Sequence, residues 1–358
     1  MDIFDLPTPS ILVDLDILQR NIHSMQQRAN EASVKLRPHV KTHKSKKILQ
    51  MQLEAGAHGI TCAKVSEAET MVGEAKDILI AYPIIGDEQL GRAVALMQRS
   101  RIILAFDSIY GAEKINEFAR ENNRIINLYI IINTGGDRDG VKPGGEALEL
   151  AMATKEYRNI NIVGIMTHEG HLYSTEKVRL QSEMKNVYQA MLSTGELLRK
   201  NGFDIEEIST GSTPGCLSGI VAEGITEWRP GTYVFNDIQE SMLVTSVENC
   251  ALTVLATVVG QPTDTRYILD AGSKTLTVTD HPEIGYGLIK SAPNAKIEKL
   301  SEEHAVVHAP KDSLCIGQKI EIIPNHVCPV VNLTDYFYVV KNKTVIDQWR
   351  VDARGKVV

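Results

Sequence analysis

Short apolar, β-branched runs alternate with amphipathic stretches over the first two thirds of the chain. The runs occupy residues 34–41, 58–62, 77–81, 102–106, 126–132, 162–167, 205–209 and 228–235, and all read as strands. Residues 44–55, 65–74, 88–98, 110–121, 145–156 and 175–201 have helical composition and spacing. Strands alternating with helices predict a parallel sheet. Eight such units over about 200 residues match the arithmetic of a (β/α)8 barrel.

A further strand-like run at residues 10–14 precedes a helix from Asp16 with apolar Ile17, Ile22 and Met25. It falls outside the eightfold count and is assigned to a second domain. From about Glu240 the texture turns to strands alone, at 252–259, 266–270, 305–308, 319–323, 336–340 and 345–349. The expected fold is α/β: a barrel over 16–240, and a mainly-β domain made of 1–15 plus 241–358.

Composition narrows the function classes. Hydrophobic content of 43% and charged content of 23% are ordinary for a globular protein of 358 residues. A formal net charge of -7 argues against a nucleic-acid surface, so any positive site must be local. No apolar run approaches the roughly 20 residues that span a bilayer, and residues 1–5 lack the basic and apolar regions of a signal peptide. The five scattered cysteines argue against a disulfide framework. These features predict a cytoplasmic protein with neither nucleic acid nor membrane as partner.

Residues 36–44 read Leu-Arg-Pro-His-Val-Lys-Thr-His-Lys. As a strand, this stretch sets Arg37, His39, Lys41 and His43 on one face and Leu36, Val40 and Thr42 on the other. Four basic or titratable groups together are costly unless an anionic ligand or a reaction needs them. A lysine among cations loses its proton more easily and becomes a nucleophilic amine. A solvated edge strand with scattered charges is the plain alternative.

The C-terminal ends of barrel strands build the active site. Lys41 ends the first expected strand, His168 follows the sixth, and Arg138 follows the fifth. Ser209-Thr210-Gly211-Ser212-Thr213-Pro214-Gly215 follows the seventh, and the eighth carries Arg229-Pro230-Gly231-Thr232-Tyr233. Loops after strands seven and eight are the habitual phosphate site of such barrels, and glycine lets backbone amides come close. Taken singly, such turns are most often only turns.

The pieces TPSILVDLDIL, LRPHVKTHKS, GITCAKVSEAE, ISTGSTP, TEWRPGTYVFND, ILDAGSK, PNHVCPVVNLTD and WRVDARGKV run from near residue 8 to the C-terminus. In them the chain resembles the fold-type III pyridoxal-phosphate enzymes, the alanine racemase-like group. The nearest branch is that of D-threonine aldolase and eukaryotic-type D-serine dehydratase. The resemblance implies that Lys41 carries pyridoxal 5'-phosphate and moves protons at the substrate Cα. It implies that His168 lies against the cofactor ring, with His39 beside it, and that Arg138 stands near the phenolic oxygen. Ser212, Thr213, Gly231 and Thr232, with Tyr233 next to them, match the phosphate cradle. Arg229 falls where racemases place an arginine facing the pyridine nitrogen, a position at which several aldolases and dehydratases differ.

His326-Val327-Cys328 forms a second constellation. On an extended segment, ligands at i and i+2 point to one side, within reach of one metal ion. A structural zinc site needs four protein ligands, whereas a catalytic site leaves positions to water or substrate. In the related group this position carries a metal; dehydratase-like members resemble His-x-Cys and the better-known aldolases have His-x-Asp. A thiolate favours zinc, and a carboxylate suits manganese or magnesium. The resemblance thus implies a metal-dependent lyase and a homodimer with active sites at the subunit interface. The expected reaction is dehydration of D-serine, D-threonine or a 3-hydroxy-D-aspartate-like substrate to a 2-oxo acid and ammonia. Retro-aldol cleavage to glycine and an aldehyde is the alternative, with an amino-acid racemase or a non-catalytic cofactor carrier behind it.

Overall fold

The computed structural model describes all 358 residues, and the chain divides into two units. One holds residues 25–41, 49–231 and 356–358; the other holds 1–24, 42–48 and 232–355. These bounds differ from the expected 16–240 and 1–15 plus 241–358. Residues 16–24 group with the second unit, where Asn21 Nδ2 donates to the carbonyls of Val234 (3.1 Å) and Asn249 (2.9 Å). Residues 42–48 do so as well: the Ala353 N–H donates to the Lys44 carbonyl at 2.9 Å and the Lys46 N–H to Asp352 at 2.8 Å.

The chain begins with β1 (Ser10–Asp14), a strand of the second unit. The first unit then supplies β2 (Lys35–Leu36), β3 (Ile60–Cys62), β4 (Asp77–Pro83) and β5 (Arg101–Phe106). It continues with β6 (Ile126–Ile131), β7 (Ile160–Met166), β8 (Glu207–Thr210) and β9 (Glu227–Trp228). All pair in parallel, in the order β2-β9-β8-β7-β6-β5-β4-β3. The two ends of this path meet where His39 bridges Thr61, with the Val40 N–H donating to the Thr61 carbonyl (3.0 Å) and the Thr61 N–H to the Pro38 carbonyl (2.8 Å). The ring of eight is the expected (β/α)8 barrel.

Leu79, Ile103, Ala105, Tyr129, Ile131, Val163 and Met166 form one buried cluster of the barrel sheet. The strands are covered on both faces, which is why they read as continuous apolar runs rather than alternating ones. Helix Leu180–Lys200 buries Leu180, Met184, Val187, Tyr188, Met191 and Leu198, the stripe of an amphipathic helix. Helix Ile109–Glu121 starts where the Ser108 hydroxyl accepts the Gly111 N–H at 3.2 Å. No helix is long and apolar enough to cross a membrane.

Two expected strands are shorter than the apolar pattern suggests. The run 34–41 is a strand only over Lys35–Leu36, with a single bridge at His39 and a turn through Lys41. Pro38 has no N–H to give the ladder. Arg37, His39, Lys41 and His43 therefore do not share a strand face. Arg37 is fully buried, its Nε donating to Glu227 (2.6 Å) and its Nη1 to Asp77 (2.5 Å), while His43 Nδ1 accepts the Ser45 N–H (3.1 Å). The run 228–235 is a strand only over Glu227–Trp228, because Pro230 and Gly231 end it and Thr232–Val234 form a 3-10 turn.

The second unit is built on β10 (Leu252–Thr263), β11 (Arg266–Leu269), β12 (Leu288–Ile289), β13 (Lys296–Leu300) and β14 (Ala305–His308). It is completed by β15 (Lys319–Ile323), β16 (Tyr336–Lys341) and β17 (Thr344–Arg350). The sheet runs β13-β14-β11-β10-β1-β16-β17, with β15 joining β10 to β12. As expected, β1 belongs here, antiparallel to β10 and parallel to β16. Ile3, Leu6, Leu12, Leu255 and Val340 pack together in its core.

Candidate active site

A cavity of about 850 Å³ opens at the C-terminal strand ends of the barrel unit. Lys41 and His39 enter it from the turn after β2, His168 from the loop after β7, and Arg229 from the residue following β9. Lys64 comes from the loop after β3, Tyr82 from β4, and Arg138 with Asp139 from the loop after β6. Five of the residues expected to bind the cofactor thus meet in one space.

The two imidazoles are held neutral. His168 is pushed down to about 3 by burial first, then by the positive charges of Lys41, Arg138 and Arg229. His39 is lowered well below its ordinary value by burial, then by Lys41, Arg229 and His168. His39 Nδ1 is buried with no hydrogen-bond partner. A buried nitrogen left unsatisfied in a polar cavity is what an absent ligand leaves behind.

Arg229 is buried and tethered at both ends of its guanidinium. Nε donates to Ser209 Oγ at 2.7 Å and Nη2 to the Thr167 carbonyl. Ser209 in turn donates to Glu227 Oε1 at 2.7 Å, and the other oxygen of Glu227 receives Arg37. Burial lowers the Arg229 pKa, against the raising pull of Glu227 and Glu169. The chain Arg37–Glu227–Ser209–Arg229 fixes one guanidinium by another and was not legible from the apolar pattern.

Gly211 follows β8 with φ +137, and its N–H donates to Glu169 Oε1 at 2.9 Å. A Cβ there would come within 2.2 Å of the Arg229 backbone nitrogen. Glycine is required for the two loops to approach. Ser212 and Thr213 begin the short helix Thr213–Leu217, with the Ser212 hydroxyl accepting the Gly215 N–H at 3.1 Å. Neither they nor Gly231 line the cavity, and Thr232 and Tyr233 are the first residues of the other unit's 232–355 segment.

The cavity fits pyridoxal phosphate. It offers an amine, two neutral rings, an orphaned ring nitrogen and clustered cations for an anionic planar aldehyde.

His326 and Cys328 lie in the second unit. The expected extended segment is helical from Val327 to Asn332, with His326 as its extended cap, yet the two side chains still hydrogen-bond. Asp237, fully buried, was not foreseen: Oδ2 meets His326 Nδ1 at 3.2 Å and accepts the Val327 N–H at 3.0 Å, and Oδ1 caps helix Ile238–Leu243. Burial works to lower the His326 pKa, but hydrogen bonds to Asp237 and Cys328 push it up to about 10. Cys328 Sγ also lies 3.2 Å from Thr42 Oγ1. No group of three or more His, Cys, Asp or Glu side chains gathers as a metal cage. The donors fit as a soft two-ligand pair whose imidazole is oriented by a carboxylate.

Residues 13–238 match the alanine racemase N-terminal domain, and 251–340 match the serine dehydratase domain. D-threo-3-hydroxyaspartate dehydratase of Delftia sp. (strain HT23) is 33% identical, covering 90% of this chain and 91% of the relative. D-threonine aldolase of Arthrobacter sp. is 31% identical, covering 97% and 93%. The solved Delftia dehydratase superposes with a TM-score of 0.92 at 30% identity, over 98% of each chain. The chain belongs to the alanine racemase N-terminal domain family, in a branch that adds a serine dehydratase domain.

Proposed function

We propose that the chain is a pyridoxal-phosphate-dependent lyase of D-configured β-hydroxy amino acids, dehydrating its substrate to a 2-oxo acid and ammonia. The carrying observation is Lys41 in one cavity with two imidazoles held neutral and an anchored arginine. Relatives named as a D-threo-3-hydroxyaspartate dehydratase and a D-serine dehydratase support the reading. Bound pyridoxal phosphate supplies a ring system that accepts the electron pair left at the substrate Cα.

Lys41 would hold the cofactor and, once the substrate amine has taken its place, move the Cα proton. His39 and His168 stay uncharged and add no competing positive charge beside the ring. Arg229 would face the ring nitrogen, and Arg138 the phenolic oxygen. Ser212, Thr213 and Gly231 would serve the phosphate. His326 and Cys328 would hold a divalent ion, zinc by the softness of the thiolate, which as a Lewis acid polarises the β-hydroxyl. A D-threo-3-hydroxyaspartate dehydratase mutant described in a metal-free form supports a metal in this branch. By resemblance the protein would be a homodimer with active sites at the subunit interface.

Retro-aldol cleavage is the second reading, favoured by the aldolase at 31% identity. Cofactor-loaded protein is given D-serine, D-threonine and D-threo-3-hydroxyaspartate, with and without chelator. A 2-oxo acid with ammonia supports dehydration; glycine with an aldehyde supports cleavage. Lys41→Ala is expected to lose the protein-bound cofactor absorbance and at least about a thousandfold in turnover. Wild-type protein that turns over none of the three sinks the lyase reading.

A further inference from the structure

Each donor of the candidate metal pair meets a buried polar group from elsewhere in the second unit. His326 has the Asp237 carboxylate at 3.2 Å. Cys328 is the second residue of helix Val327–Asn332 and is half-buried. Its sulfur lies 3.2 Å from the hydroxyl of Thr42, a residue buried completely.

The fold holds this hydroxyl in place. Thr42 opens the segment 42–48, which groups with 232–355. The residues after it are pinned by the Ala353 N–H on the Lys44 carbonyl, the Lys46 N–H on Asp352 and the Ser45 N–H on His43 Nδ1. Threonine is stiff at χ1 because its Cβ is branched, so little freedom is lost in meeting a fixed acceptor. Valine would fill nearly the same space; the oxygen is what the sulfur meets.

Ligation decides which atom donates. A sulfur that holds an ion has lost its proton and can only accept, whereas a hydroxyl can donate. A hydrogen bond to an ionised acceptor is roughly twice as strong as a neutral one. It also draws charge from the sulfur, as the outer partners of metal ligands tune those ligands. A sulfur that gives up less charge leaves the ion better able to polarise an oxygen.

We propose that Thr42 is a positioning residue of the candidate metal site, its hydroxyl donating to the Cys328 thiolate and tempering the charge that the sulfur gives the ion. This rests on the reading of His326 and Cys328 as metal ligands, and its test keeps the two apart.

Cofactor-loaded wild type, Thr42→Val, Thr42→Ser and Cys328→Ala are stripped with chelator and titrated with cobalt(II). Cobalt takes zinc's place and adds a sulfur-to-metal absorption band, read as the difference from the metal-free protein. In Thr42→Val the band is expected at longer wavelength, because a sulfur without its hydrogen bond gives up an electron more easily. Zinc, measured by competition, is expected to bind that variant roughly 10-fold more weakly. Thr42→Ser, which keeps the hydroxyl, is expected to restore both. The band decides. If it fails to move to longer wavelength in Thr42→Val, the inference is wrong whatever the affinity does, since lost packing weakens binding without touching the sulfur. A band that Thr42→Ser does not restore assigns the effect to the γ-methyl and is equally fatal. Wild type without the band, or a band that survives Cys328→Ala, sinks the metal reading itself. A band lost in Cys328→Ala but unmoved in Thr42→Val sinks this inference alone.

Discussion

Asp237 Oδ2 meets His326 Nδ1 at 3.2 Å from a fully buried position, and the same oxygen accepts the Val327 N–H. A carboxylate on one ring nitrogen fixes the imidazole's orientation and leaves the other nitrogen for a metal. Asp237→Asn keeps the helix cap and loses the charge. It is expected to weaken zinc binding by roughly 10–100-fold, read by competition against a chromophoric chelator. Unchanged zinc affinity would show that His326 needs no such support.

Arg37 and Glu227 are both buried and joined at 2.6 Å, with Asp77 as the second acceptor. Burial opposes the charge, yet Glu227 and Asp77 raise the Arg37 pKa. Removing one charge leaves the other stranded. Glu227→Gln is expected to cost about 3–5 kcal/mol in urea unfolding. It also weakens the acceptor of Ser209, so one of the two tethers of Arg229 loosens and cofactor affinity is expected to fall with stability. A fall in stability alone would show that Ser209 holds Arg229 without help.

Gly211→Ala places a methyl against the Arg229 main chain at a φ of +137 that side chains rarely adopt. The expected cost is about 2–3 kcal/mol, with weakened cofactor binding, measured by unfolding and by absorbance titration. Gly202→Ala, also at positive φ but with open space around its Cβ, serves as the control for strain without collision.

The neutral His168 gives the apoprotein an acid sensitivity of definite sign. The unfolded chain takes up a proton near pH 6.5 that the folded site refuses until about 3. Its contribution to stability is complete above pH 6.5 and is lost as pH falls from 6.5 towards 3. His168→Gln is expected to flatten that slope by up to one proton. Urea midpoints at pH 7.5 and 5 in both proteins decide it; equal slopes would refute the assignment.

Eight strand–helix units were legible because each barrel strand is covered on both faces and so reads as an apolar run. Strand length was not, where Pro38 and Pro230 removed ladder donors inside apolar runs. β13 escaped because Lys296, Glu298 and Lys299 break its apolar character, and two-residue β12 carries too little pattern. Among site residues, Lys41, His39, His168, Arg138 and Arg229 stood at loops that the barrel gathers. Asp237 had a readable signal, an acid just before a helical run, which marks a cap.

The barrel's closure has a further meaning. Seven neighbouring strand pairs are joined by parallel ladders, but β2 and β3 meet through one bridge and a few main-chain bonds around His39 and Thr61. The ring is thinnest at the seam two residues from Lys41. Breathing of the cylinder is therefore cheapest there, beside the turn that carries the amine.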